Sequence, residues 1–129
     1  DQMDRLREDP SLIKTAVEEF LRFQSPLQVG NRKALEEIEM GPEGGKVLIP
    51  AGTFLHTCIG AANRDPEIFD DPETVDIGRK PNPQIAFGIG KHICMGNTLG
   101  RIEGHTAIGK FVKKYGIKYL WSRYFSRNY

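Results

Sequence analysis

A mainly helical fold carrying small β-sheets is what the sequence predicts, and three observations predict it. Leu12, Ile13, Ala16, Val17, Phe20, Leu21 and Phe23 follow the i, i+3, i+4, i+7 spacing of an amphipathic helix. A second long helical run follows Cys94, with Met95, Leu99, Ile102, Ile108, Phe111 and Val112 as its apolar side. Between the two lie only short extended segments, punctuated by glycine and proline. At 129 residues the chain has the length of one ordinary domain with a core.

Taken in order, Gln2 to Glu8 are polar with Met3 and Leu6 three apart, and Asp9-Pro10 interrupts them. Ser11 then has the character of a helix cap, because its hydroxyl can accept from the first free amides. The helix it opens ends at Ser25-Pro26. On it Glu19 and Arg22 share a face; an exposed pair of this kind is worth only about 0.2–0.5 kcal/mol. Phe20, Leu21 and Phe23 crowd around it, however, which predicts a partly desolvated pair.

Extended segments are expected at 27–34, 36–40, 46–49 and 53–59, with turns at Gly41 to Gly45 and Pro50 to Gly52. In the first of them Arg32 stands between turn residues and apolar ones, where a guanidinium can face a carboxylate or solvent. A short helical turn runs from Ala61 toward Phe69, and 70–84, with Pro72, Pro81 and Pro83, reads as a long ordered connection. It delivers the chain to Phe87.

Phe87 to Gly96 sets Cys94 between glycines at the entrance to the second helix. Gly88 and Gly90 permit a turn closed to other residues, and Gly96 permits close approach. The helix's free amides and dipole favour an anionic sulfur there. Locally, an inert buried cysteine fits as well as a ligand. Gly96, Gly100 and Gly104 recur every four residues and form a smooth strip, open to a flat ligand or another helix. Gly116 ends the helix, and Ile117, Tyr119 and Trp121 alternate like a strand.

Charge is balanced, 18 Lys+Arg against 17 Asp+Glu, which argues for neither nucleic acid nor a membrane surface. Glu36, Glu37, Glu39 and Glu43 form an acidic run; Lys110, Lys113, Lys114, Lys118, Arg123 and Arg127 make the end basic. With two cysteines, no secretory pattern and no apolar run of membrane length, the expectation is a cytoplasmic, reduced protein without a Cys58 to Cys94 disulfide. The opening Asp1, within a helix-like pattern, reads as the start of a processed or excised piece.

Phe87, Gly90, His92, Cys94 and Gly96 match the haem-binding signature of the cytochrome P-450 family, and Glu19 with Arg22 match its Glu-x-x-Arg helix. Asn63-Arg-Asp-Pro66 and Pro81-Asn-Pro83 follow in the right order. From Leu12 to Tyr119 the sequence thus resembles the C-terminal part of the cytochrome P-450 fold, most like soluble bacterial and archaeal members, with 1–129 as the haem-ligating portion of a single domain.

The resemblance implies haem b (iron protoporphyrin IX) with Cys94 as its axial metal ligand. Arg32 and His92 would hold the haem propionates, Phe87 would shield the sulfur, Gly96 belongs to the same cofactor-binding set, and Glu19 and Arg22 would be structural. The intact parent would be a haem-thiolate monooxygenase inserting one oxygen atom of O2 into a small organic substrate. Its electrons would come from a ferredoxin or flavoprotein reductase, docked in part by Lys110, Lys113 and Lys114; no nucleic acid or membrane partner is implied.

One departure concerns Pro72-Glu-Thr-Val75, where the family commonly carries an Arg; Arg79 or a backbone group would have to substitute. The central helix that delivers protons to dioxygen has no counterpart here, and Ala51-Gly-Thr53 resembles it only superficially. This piece alone is therefore not expected to be active. Two alternatives are a haem-free structural fragment and a zinc module built on His56-x-Cys58 and His92-x-Cys94. The spacing is not that of usual zinc modules, and His56 and Cys58 read as core residues.

Overall fold

Asp1 starts the first helix by accepting from the amides of Met3 and Asp4, both at 2.9 Å, a capping arrangement completed by the Asp4 side chain. The structure, a computed structural model, describes residues 1–43 and 45–115, the side chain of Tyr115 apart. The expected stop at Gly116, the alternation of Ile117, Tyr119 and Trp121, and the basic Lys118, Arg123 and Arg127 lie outside the described residues.

Helix α1 (Gln2–Glu8) buries Met3 and Leu6. A single 3-10 turn, Pro10–Leu12, leads into α2 (Ile13–Phe23). The cap here is Asp9 rather than Ser11: Asp9 Oδ1 accepts from both the amide and the hydroxyl of Ser11, at 3.0 and 2.6 Å. The proline explains the shift, since Pro10 suits the first position of a helical turn and moves the cap one residue before it.

Two antiparallel ribbons follow: β1 (Val29–Lys33) pairs with β4 (Phe54–Cys58), and β2 (Ile38–Met40) pairs with β3 (Val47–Ile49). Among the described residues each sheet has two strands, and neither sheet buries both faces. This corrects the expectation that His56 and Cys58 are core residues. Both are exposed, and His56 Nδ1 hydrogen-bonds Asn31 Oδ1 across the ribbon at 2.7 Å. A short helix, α3 (Ile59–Ala62), precedes the long connection, in which Phe69, Ile77 and Ala86 are buried.

The last helix, α4 (Asn97–Tyr115), lies against α1 and α2. Met3, Leu6, Ala16, Ile77 and Val112 make the core, flanked by Leu12, Ile13, Phe20, Val75 and Ile108. The glycine strip serves helix packing at Gly104, where an added Cβ would stand 3.0 Å from Val17 Cγ1. The expected apolar side of α4 divides: Ile108 and Val112 face the core, whereas Leu99 and Ile102 are exposed and Met95, before the helix, is fully so. Among the described residues, no helix is long and apolar enough to cross a membrane.

Candidate functional site

Glu19 and Arg22, one helical turn apart on α2, are both fully buried. Arg22 donates Nε to Glu19 Oε2 and Nη2 to Glu19 Oε1, each at 2.8 Å. Its other protons go to the carbonyls of Asn63 (2.9 Å), Pro72 (2.8 Å) and Thr74 (3.1 Å). The carboxylate also receives the Asp76 amide, Arg79 Nε and Asn82 Nδ2. Both kinds of substitute foreseen for the missing Arg near Thr74 donate to Glu19: the Arg79 guanidinium and a backbone group, the Asp76 amide. A buried ion pair is tolerable only when its remaining donors and lone pairs are satisfied, and here they are.

Asn63 connects this network to the cysteine loop. Buried with 1 % of its surface exposed, it gives its carbonyl to Arg22, donates Nδ2 to Ser25 Oγ at 2.8 Å, and accepts from the Ile85 amide at 2.8 Å. Ile85 stands two residues before Phe87. The fixed frame therefore ends where the loop begins.

The loop itself is closed by the Cys94 amide donating to the Phe87 carbonyl at 2.8 Å. Gly88 and Gly90 turn the chain with φ of +74° and +70°, the left-handed region that other residues enter only at a cost. Gly90–His92 forms a 3-10 turn. Cys94 is a free, exposed thiol, and a Cβ on Gly96 would stand 3.8 Å from its sulfur. Asn97 opens α4 and donates Nδ2 to the Cys94 carbonyl at 2.6 Å. In the loop and the first turns of α4, Ile89, Ile93, Met95, Leu99 and Ile102 are uncovered.

Of the residues singled out from the sequence, Phe87, Cys94 and Gly96 come together in this loop, and Glu19 and Arg22 lie in the frame behind it. His92 is exposed on the 3-10 turn. Arg32 is exposed on β1 and donates Nη1 to the Asn31 carbonyl at 2.8 Å; among the described residues no hydrogen bond joins it to the loop. Nor is there, among those residues, a group of three or more His, Cys, Asp or Glu able to hold a metal ion, so His56-x-Cys58 and His92-x-Cys94 do not assemble into a zinc site.

Residues 3–122 match the family model described as Cytochrome P450. The chain belongs to the cytochrome P450 family. It is 45% identical over 114 residues to the "Biotin biosynthesis cytochrome P450" of Bacillus subtilis, covering 88% of this chain and 28% of that protein. With the "6-deoxyerythronolide B hydroxylase" of Saccharopolyspora erythraea it shares 42% identity over 108 residues, 84% of this chain and 26% of that one. Among solved structures it resembles P450BioI in complex with an acyl carrier protein ligated to hexadec-9Z-enoic acid (TM-score 0.81, 46% identity, 87% of this chain, 28% of that one). It also resembles tirandamycin C-bound TamI (TM-score 0.84, 42% identity, 91% and 29%). The chain thus spans a little over a quarter of the length of these relatives.

Cytochrome P450 proteins are haem proteins, and the donor set here fits that group: a soft, exposed thiol with no side chain at Gly96 to shield it, on a loop that also carries uncovered apolar side chains. Sequence reasoning missed the neighbours that hold the loop. Arg101 lies over the Phe87 ring, its Cζ 4.8 Å from the centroid, and forks to Glu18 at 2.6 and 3.1 Å. The i+4 spacing of Arg101 from Asn97 was the available signal; contact with Glu18, far away in sequence, had none.

Proposed function

We propose that this chain forms the proximal haem pocket of a cytochrome P450 monooxygenase longer than the sequence described here. The full-length protein inserts one atom of O2 into a small organic substrate and works in the cytoplasm. One observation carries the reading: an exposed Cys94 sulfur in a glycine-turned loop, tied through Asn63 to the buried Glu19–Arg22 pair. The share of the relatives' length that the chain spans supports the assignment to one portion of a larger domain.

In this reading the Cys94 sulfur would hold the haem iron. Haem b, when bound, supplies activation of dioxygen, and a thiolate ligand favours O–O cleavage more than an imidazole does. Phe87 would shield the sulfur once the cofactor is bound, and the Phe87 carbonyl holds the Cys94 amide so that the backbone carrying the sulfur is fixed. His92, a ring N–H donor, and Arg32, a guanidinium, would hold the propionates; both side chains are exposed. Glu19 and Arg22 never meet the cofactor and hold the loop's anchor points. Lys110, Lys113 and Lys114, all exposed on α4, contribute positive charge toward an acidic ferredoxin or flavoprotein reductase.

The test is the source of the inserted oxygen. With the full-length protein, an electron donor and isotopically labelled dioxygen, the product carries one labelled atom while the other is reduced to water. Label arriving from water instead, or turnover without dioxygen consumption, contradicts the proposal.

A further inference from the structure

Glu18, on the face of α2 next to the buried pair, reaches both ends of the Cys94 loop. On one side Gln84 donates Nε2 to Glu18 Oε2 at 2.7 Å and accepts the Ala86 amide at 2.6 Å, one residue before Phe87. On the other, Arg101 forks to the same carboxylate and donates Nη1 to Asn97 Oδ1 at 3.0 Å. Asn97 in turn donates to the Cys94 carbonyl at 2.6 Å. The guanidinium also lies on the Phe87 ring, and a Cβ on Gly100 would stand 3.2 Å from the far edge of that ring, which leaves the ring little freedom. About a third or less of either charged side chain is exposed, so water screens the pair only in part.

We propose that the Glu18–Arg101 pair positions the Cys94 loop and sets the electron richness of its sulfur, as a positive charge stacked on Phe87 and balanced by a carboxylate behind it. The proposal rests on the haem-thiolate reading above. Glu18 and Arg101 are positioning residues: neither touches the sulfur, and each acts through Phe87, Asn97 or Gln84.

The sign of each charge makes the proposal testable. A positive charge near the iron and thiolate favours the reduced, more electron-rich state, and a negative one opposes it. In the full-length haem protein, Glu18→Gln therefore raises the midpoint potential and Arg101→Gln lowers it, each changing the reduced-to-oxidised ratio by about two- to tenfold, with tenfold equal to about 59 mV for one electron. Arg101→Lys keeps the charge and stays near the parent value. A purely structural role would move Glu18→Gln and Arg101→Gln in the same direction, because both break the same fork.

Potentials are measured by dye-mediated titration with dithionite, alongside the reduced, CO-bound spectrum of every variant. Opposite shifts with the thiolate-type band retained support the proposal. Equal signs, or no shift, overturn it while leaving the haem-thiolate reading intact. Absence of that band in the unsubstituted protein overturns the underlying reading and the proposal with it. If Arg101→Gln loses haem, Glu18→Gln and Arg101→Lys decide: without a raised potential in the former and a near-parent potential in the latter, the proposal fails.

Discussion

Arg22 grips Glu19 through two parallel hydrogen bonds of 2.8 Å, with neither side chain exposed to solvent. Removing one partner strands the other charge in the interior. Arg22→Ala in the full-length protein is expected to cost about 3–5 kcal/mol. Arg22→Lys should recover little of it, because an ammonium cannot fork to Glu19 while also serving the carbonyls of Asn63, Pro72 and Thr74. Urea unfolding measures both; a loss below about 1 kcal/mol for Arg22→Ala would show that the pair is not a buried anchor.

Gly104 lets α4 approach α2. Replacing it with alanine gains about 1 kcal/mol of helix propensity but drives a Cβ to 3.0 Å from Val17 Cγ1, an overlap that costs about 1–3 kcal/mol. Gly104→Ala is therefore expected to destabilise, and Val17→Ala in the same chain to relieve the overlap. A double-mutant cycle should return a favourable coupling of about 0.5–3 kcal/mol. Additive effects would mean that the helices part without strain.

Gly90 isolates the backbone contribution of the cysteine loop. Its φ is +70°, and an added Cβ would meet no atom within 4 Å, so Gly90→Ala tests conformation alone. A loss of about 1–2 kcal/mol is expected, with Gly90→Asn retaining part of it, since asparagine tolerates the left-handed region better. Chemical unfolding of the haem-loaded protein measures the difference, and equal stability of Gly90→Ala and the parent would contradict the turn described.

Acid should weaken the clamp at Glu18. Burial by itself raises the carboxyl's pKa, but hydrogen bonds from Arg101 and Gln84, with the charges of Arg101 and His105, outweigh it and hold the group below its ordinary value of 4.5. A lowered folded-state pKa gives stability that is complete above the unfolded value and lost as pH falls through the folded one. Stability of the parent should consequently fall more steeply with acid below about pH 4.5 than that of Glu18→Gln. Parallel pH profiles in urea melts would contradict the depressed carboxyl.

Much of this was legible because local sequence decides it. The spacing from Leu12 to Phe23 and the glycines around Cys94 depend on neighbours within a few residues, and the structure has the helix and the turns they imply. The desolvation of Glu19 and Arg22 was readable from the aromatic residues beside them. What escaped reading depends on long-range partners. Strand alternation makes His56 read as a core residue, because it cannot reveal that among the described residues its sheet has two strands and leaves it exposed. Leu99 and Ile102 fit an apolar helix side, yet both are exposed, and on those turns of α4 it is Arg101 that meets α2. The Arg101 contact with Glu18 bridges distant segments and leaves no local trace.

The most direct measurement is the reduced, CO-bound absorption spectrum of the full-length protein after haem loading, compared between the parent and Cys94→Ser. The account predicts a red-shifted Soret band in the parent, as thiolate ligation gives, and its loss in Cys94→Ser with the protein still folded. The same band surviving in Cys94→Ser, or no such band in the parent, would contradict Cys94 as the haem ligand.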